Sequence, residues 1–317
     1  MSNSEKCSRE TNFELILPHF WLLAVQILFG TLPVIGKIVL QKLPAVSLVG
    51  FRVLITAIVL SIFQRIRGNL RLNNRKDYLN LFFLSFLGVT FNQLLFIGGL
   101  SLTKASNTSL LAATIPIFTL AISMSLKIEK PSLIKVSGIL TALTGVLIII
   151  DISKASFSSQ TTIGDILIVL NSISYGAYVA ISKPVMLRQG ALKSVTWIFI
   201  FASLICTPIG AIQLFKVDLS EVPTHIWFLV AYISIFATCI PYILNAMALS
   251  KVNPSSVAAY IYLQPLIGFL SAMIFLNETA NLTTVTGAIL VLIGIFITTR
   301  KDNEKTSLIK VSSDIGN

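Results

Sequence analysis

The sequence predicts an all-α integral membrane protein: ten transmembrane helices, arranged as two inverted five-helix repeats around a central cavity. Three observations predict it. The 317 residues are 55% hydrophobic and only 12% charged, with a mean hydropathy of +0.85, whereas soluble domains carry about 25% charge. Ten apolar runs reach spanning length, about 20 residues at roughly 1.5 Å of rise each for about 30 Å of hydrocarbon. The second half also repeats the first at an offset of 149 residues. Pro116 falls on Pro265, Glu129 on Glu278, Gly138 on Gly287 and Gly145 on Gly294, with Leu100-Ser101 on Leu249-Ser250 and Ser106 on Ser255. Prolines, end-of-run acids and paired glycines shape backbone, so their recurrence says more than matched Leu or Ile would. A repeat of this length in a membrane chain points to a substrate path between two related halves.

The runs cover 19–39, 45–64, 78–100, 105–127 and 132–151 in the first half (19–151), then 162–183, 191–213, 224–248, 254–276 and 281–299 in the second (162–299). Little remains for a soluble domain, so function must reside in the bundle. The stretches 1–18 and 300–317 are expected to be cytoplasmic tails. With both ends inside, cytoplasmic segments collect 18 Lys or Arg and the opposite side five, which is the asymmetry that sets membrane orientation. The net charge of +11 is therefore a topology signal, and no nucleic-acid partner is expected. Five spans per half is an odd number, so the halves must insert with opposite topology. A weaker match at an offset of 146 pairs Phe29-Gly30 with Tyr175-Gly176 and Lys37 with Lys183. The basic segment 64–77 reads as a topology determinant. Cys7, Cys206 and Cys239 have no metal-type spacing. The first apolar run follows a polar, mixed-charge stretch and continues to spanning length, which is not the pattern of a cleavable signal.

Pro116 and Pro265 fall in the middle of their runs. Each removes a backbone hydrogen bond and crowds the carbonyl four residues earlier, that of Ala112 or Ile261. In lipid such a carbonyl needs a protein or water partner, so a kink or hinge beside a cavity is expected there. Gly138 and Gly145, like Gly287 and Gly294, stand seven apart, close to two helical turns, and line one helix face. They read as scaffold or as a homodimer face permitting close approach.

Polar groups inside spans mark the candidate cavity, because each is costly unless paired or wetted. Arg52 is the one clearly internal charge. It reads either as a fixed cation for a substrate carboxylate or phosphate, or as a side chain snorkelling to the external interface. Asn171, Ser174, Tyr175, Tyr178 and Ser182 share a helical face in the sixth run, and Ser256, Tyr260, Gln264 and Ser271 do so in the ninth. Gln26, Asn92, Gln93, Tyr242 and Asn245 add to the set. For a single Ser or Asn, helix-to-helix hydrogen bonding is the plainer reading. For Tyr260 and Gln264, a turn apart beside Pro265, cavity lining is expected. Amides and hydroxyls without acids suit neutral or zwitterionic polar solutes.

Asp151, Asp165, Glu129 and Glu278 stand at run ends, and His19 and His225 near run starts, so a mid-membrane carboxylate relay has no candidate. No His-Glu-x-x-His helix, Gly-x-Ser-x-Gly elbow or Walker loop occurs. Neither an enzyme nor an ATP-driven pump is expected, and no cofactor or metal.

The two run ends GGLSLTKASNTSLLAATIPIFTLAISMSLKIEKPSLIKVSGILTALTGVLII and NAMALSKVNPSSVAAYIYLQPLIGFLSAMIFLNETANLTTVTGAILVLIGIFI carry one pattern twice. A small-residue start, a mid-span Pro, a terminal Glu and a Gly-x6-Gly span make the chain resemble an EamA-type member of the drug/metabolite transporter superfamily. LFGTLPVIGK and LPAVSLVGFRVL resemble the family's opening, which places Arg52 on its recurrent Arg. Phe96-Ile97-Gly98-Gly99 departs from the family's usual aromatic and alanine residues, so substrate preference does not carry over. The resemblance implies a basket-like bundle and export or exchange of small metabolites, amino acids or drugs by alternating access, in the plasma (inner) membrane. Related branches carry nucleotide sugars or sugar phosphates, so exchange of phosphorylated organic anions is the alternative within transport. A non-transporting membrane interaction protein is the alternative outside it. Expected partners are a small-molecule substrate, membrane lipids and a second copy in a homodimer.

Overall fold

The computed structural model describes residues 3–68, 70–72, 74–150, 161–267 and 282–299. Among them, every regular element is helical. Seven helices are long and apolar enough to cross a membrane: Ile16–Leu40, Ala45–Arg67, Arg75–Leu102, Asn107–Ser125, Thr162–Gln189, Ala191–Leu214 and Thr224–Leu249. Leu133–Ile149 and Val285–Thr299 are shorter apolar helices. The ninth apolar run is described only to residue 267. Asp151, Ser271, Glu278 and the stretch 300–317 lie outside the described residues.

Most spans are not single smooth helices. The first run divides at Thr31 into α1 (Asn3–Gly30) and α2 (Leu32–Leu40). Helix α1 begins within the stretch read as a tail, whose Glu, Lys and Arg residues are good helix formers. Helix α3 (Ala45–Arg67) follows extended Pro44 and stops at Gly68. Helix α4 (Arg75–Ser85) is capped by the Asn74 side chain accepting from Lys76 N, and a π-turn (Phe86–Thr90) joins it to α5 (Phe91–Leu102). The fourth run is α6 (Ala105–Ala112) then α7 (Ile115–Ser125), and α8 (Leu133–Ile150) closes the first half.

The second half opens with α9 (Thr162–Gln189) and α10 (Ala191–Leu214). Helix α11 (Thr224–Ser234), a second π-turn (Ile235–Cys239) and α12 (Ile240–Leu249) follow. Then come α13 (Pro254–Ala259), a 3-10 turn (Tyr260–Tyr262) and, past the undescribed stretch, α14 (Leu282–Thr299). Several of these boundaries recur 149 residues apart. The pairs are Arg75 and Thr224 at the helix starts, and Phe86 and Ile235 at the π-turns. Helices α3 and α10 start at Ala45 and Ala191, the 146-residue offset of the weaker sequence match.

At the prolines, where a kink or hinge was the expectation, the regular helix is interrupted. Helix α6 stops at Ala112, and Pro116 lies in the first turn of α7, where a missing N–H costs no helical bond. The Leu111 carbonyl takes Thr114 Oγ1 at 2.6 Å and Ser172 Oγ at 3.1 Å. In the second half the tighter 3-10 turn of Tyr260–Tyr262 precedes Pro265.

Two close helix pairs frame the bundle. Helices α8 and α14 pack along their length with their glycine faces together. A Cβ on Gly138 would lie 2.9 Å from Gly294 O, and one on Gly145 would lie 2.5 Å from Gly287 O. Rising numbers on one helix meet falling numbers on the other, so the pair is antiparallel. These glycines therefore serve contact within the chain, where a homodimer face was one expectation. At the other pair, α3 crosses α10 at Gly50 and Gly210, where Ser47 Oγ donates to Gly210 O at 2.8 Å. Outward positions such as Ile66, Leu204, Phe228 and Phe296 expose apolar side chains, as a lipid-facing surface requires.

Candidate functional site

Between the halves lies a cavity of about 80 Å³, open on one side. Its walls pair positions 149 residues apart: Gln93 with Tyr242, Phe96 with Asn245, Ala112 with Ile261, and Ile115 with Gln264. Phe29 and Tyr175, matched at the 146 offset, also line it. Ala112 and Ile261 are the residues whose carbonyls the two prolines would crowd in a continuous helix, and both backbone breaks sit at the cavity wall, where loosened backbone is tolerated.

The polar lining is cross-linked from one half to the other. Gln93 Nε2 donates to the Tyr242 hydroxyl at 3.4 Å, which joins two repeat-equivalent side chains directly. That hydroxyl donates to Gly88 O at 2.7 Å, with Asn92 Oδ1 a second acceptor at 3.0 Å. Asn171 Nδ2 donates to Asn92 O at 2.9 Å, Asn245 Nδ2 to the Tyr175 hydroxyl at 2.9 Å, and Gln264 Nε2 to Gln26 Oε1 at 2.8 Å. The π-turns supply part of this set. A π-turn leaves backbone carbonyls off the regular ladder, and Gly88 O and Ala237 O each accept from a side chain of the opposite half.

Arg52 does not snorkel. It is 1% exposed and lines the cavity. Its Nε donates to Thr238 Oγ1 at 2.9 Å and its Nη2 to Ala237 O at 3.2 Å, both in the second π-turn. Nη1 is buried with no acceptor among the described residues.

Of the residues anticipated at the cavity, Gln26, Arg52, Asn92 and Asn171 line it. Tyr175, Tyr242, Asn245 and Gln264 do as well. Tyr178 and Tyr260 lie elsewhere. Tyr178 packs over Gly88, where even a Cβ would collide with its ring, because the absent side chain in the π-turn leaves a slot that only a flat ring fills. Tyr260 turns to His19, whose Nδ1 lies 2.8 Å from its hydroxyl, because the 3-10 turn rotates it off the face that Gln264 occupies.

Sequence reasoning missed the ties at the cavity ends. Lys37 Nζ donates to Thr103 O at 2.7 Å, and Lys183 Nζ donates to Val252 O at 2.9 Å. The match of Lys37 with Lys183 was the available signal. Glu129, read only as a run-end acid, accepts from Lys135 Nζ at 2.8 Å, Ser255 N at 2.8 Å and Ser255 Oγ at 2.6 Å. It thereby fastens the α7–α8 turn to the start of α13. Asp165 accepts from Thr103 Oγ1 at 2.5 Å and Asn107 Nδ2 at 3.1 Å.

A helical bundle with, among the described residues, seven membrane-length apolar helices around a cavity of mixed polar and apolar lining is a multi-pass membrane protein. The model of the EamA-like transporter family matches residues 16–151 and again 162–300, and the chain belongs to that family. An uncharacterized transporter of Archaeoglobus fulgidus is 25% identical over 271 residues, covering 84% of this chain and 92% of its own. The uncharacterized transporter YetK of Bacillus subtilis (strain 168) is 26% identical over 290 residues, covering 89% and 87%. A crystal structure aligns with a TM-score of 0.73 over 91% of this chain and 99% of its own, at 16% identity. That last likeness is one of fold.

Proposed function

We propose that the chain is a secondary transporter that exports or exchanges a small polar metabolite, amino acid-like or drug-like, by alternating access through the central cavity. The carrying observation is the lining itself: four pairs of positions 149 residues apart face one space, so the path runs along the axis relating two halves. Ten spans in two inverted repeats are part of this reading. The antiparallel contact of α8 with α14 supports inversion, because Gly138 meets Gly294 and Gly145 meets Gly287. Under a twofold relation, residue i meets the counterpart of j and j meets the counterpart of i. The charge asymmetry supports cytoplasmic termini, and the family supports the plasma membrane as location. Lipid and small-molecule substrate are the partners of this reading. A homodimer would have to use faces other than the glycine seam.

Backbone breaks at Ala113–Thr114 and Tyr260–Tyr262 suit a transporter, since discontinuous helices at the midplane supply both binding groups and hinges. A non-transporting interaction protein has no use for such a cavity. The test is counterflow into vesicles reconstituted with the purified protein, comparing labelled amino acids with sugar phosphates. Protein-dependent exchange of amino acids or similar polar solutes supports the reading. Exchange confined to sugar phosphates replaces it with the organophosphate alternative, and flux equal to protein-free vesicles for the whole panel rejects transport.

A further inference from the structure

Arg52 presents an electrostatic imbalance. Its guanidinium is buried, and both groups that hold it, Thr238 Oγ1 and Ala237 O, are neutral. No carboxylate pairs with it among the described residues. Among the described residues Arg52 is also the sole charged side chain in the cavity lining; the others are amides, phenols and apolar groups. A buried cation held by neutral dipoles alone keeps much of its desolvation cost, several kcal/mol per ion in typical proteins. Guanidinium cannot escape by losing its proton. Meanwhile Nη1 has no acceptor, although buried donors are as a rule satisfied.

We propose that the missing acceptor is a carboxylate of the transported solute, so that the cavity takes organic monocarboxylates, with Arg52 as their counter-charge. This rests on the transporter reading and narrows its substrate class. Charge selects the carboxylate over a phosphate ester. One cation neutralises one negative charge, whereas a phosphate monoester carries close to two at pH 7 and would leave the remainder uncompensated in a low-dielectric space. The fork geometry agrees. With Nε and Nη2 engaged by the second π-turn, the remaining edge is Nη1, which fits end-on contact with one carboxylate oxygen. The Gln26–Gln264 and Asn245–Tyr175 pairs offer donors and acceptors to the rest of the solute, and Phe29 and Phe96 offer ring surface. Nη1 is closed off from water in this conformation, so the carboxylate reaches it as the walls part.

The experiment uses the full chain in detergent and five probes: N-acetylphenylalanine, its neutral primary amide, phenyl phosphate, and the pair lactate and lactamide as a small control. A ligand that binds the folded state raises its melting temperature. The acids are expected to raise it by roughly 2–5 °C near saturation, and their amides and phenyl phosphate by less. Arg52→Gln should weaken acid binding about tenfold or more, the scale of one lost charge-assisted hydrogen bond. Arg52→Lys keeps the charge and should retain part of the shift, which covers the case in which Arg52→Gln fails to fold. Amides that act as strongly as acids, acids that all leave the protein unmoved, or an Arg52→Gln protein that binds acids normally would each overturn the carboxylate site. Stronger stabilisation by phenyl phosphate would overturn it in favour of a phosphate site. Counterflow of the same probes separates the two readings: acid binding without exchange leaves the Arg52 site standing and removes transport, while equal exchange of acid and amide does the reverse.

Discussion

The α8–α14 seam and the central cavity use the same duplicated chain in opposite ways. Along the seam the helices lie backbone to backbone, and Gly stands opposite Gly because there is no room for a Cβ. Around the cavity the equivalent positions have diverged into Gln93 and Tyr242, Phe96 and Asn245, Ile115 and Gln264. The seam has helices that run unbroken over their described residues. The cavity is bordered by two π-turns and by two breaks in front of proline. Close packing therefore holds both halves to one residue type, while open space lets each half contribute different chemistry. Rigid scaffold and adaptable site are separated by geometry within one bundle.

The hardest blow to that contrast is Gly145→Leu, which drives a side chain into Gly287. A loss of more than about 3 kcal/mol is expected, as for severe overpacking, and it should appear as a collapse of monodisperse protein in detergent. Gly68→Ala, where a Cβ meets nothing within 4 Å, should change stability by no more than about 0.5 kcal/mol. Equal tolerance at both glycines would break the contrast.

Glu129→Ala tests a tie between the halves that is neither seam nor cavity. It removes the shared acceptor of Lys135 and Ser255, and breaking a buried ion pair costs about 3 kcal/mol or more. Thermal melting reads this. A melting temperature unchanged from wild type would show that the α7–α8 turn does not need α13.

The smallest stability effects belong to the cavity. Gln264→Leu gives up one bond to Gln26, a change of about 1 kcal/mol, yet it should lower severalfold the counterflow of whichever probe the wild type carries. Tyr178→Phe, away from the lining, should leave that flux within about twofold, since only a hydroxyl outside the cavity is lost. If the two variants exchange their outcomes, the lining has been drawn on the wrong face of α9.

Much of this was legible before any fold was available. Apolar runs marked the seven membrane-length helices found among the described residues, because hydrocarbon thickness imposes a length on them. The glycine spacing gave the close-packed face, though not the partner helix, since Gly138 carries no mark of whether its neighbour is Gly294 or another chain. The lone charge at Arg52 marked the cavity, but snorkelling and burial share one sequence signature. The π-turns were invisible. Phe86–Thr90 and Ile235–Cys239 are ordinary apolar residues, and their altered hydrogen bonding goes with partners far along the chain: Tyr242 on Gly88 O, and Arg52 on Ala237 O. For the same reason periodicity could not say that Tyr175 lines the cavity while Tyr178, stacked beside it, packs over Gly88.

The direct bond between Gln93 and Tyr242 has a consequence for how such a chain changes over time. On the inverted arrangement proposed here, these two side chains meet at the axis, so in an unfused five-helix unit one residue would face its own copy. Only residue types compatible with themselves could occupy that place. Within one chain the two places belong to separate residues, so an amide can face a phenol. The seam glycines remain matched because the close backbone contact leaves no room for a Cβ in either half.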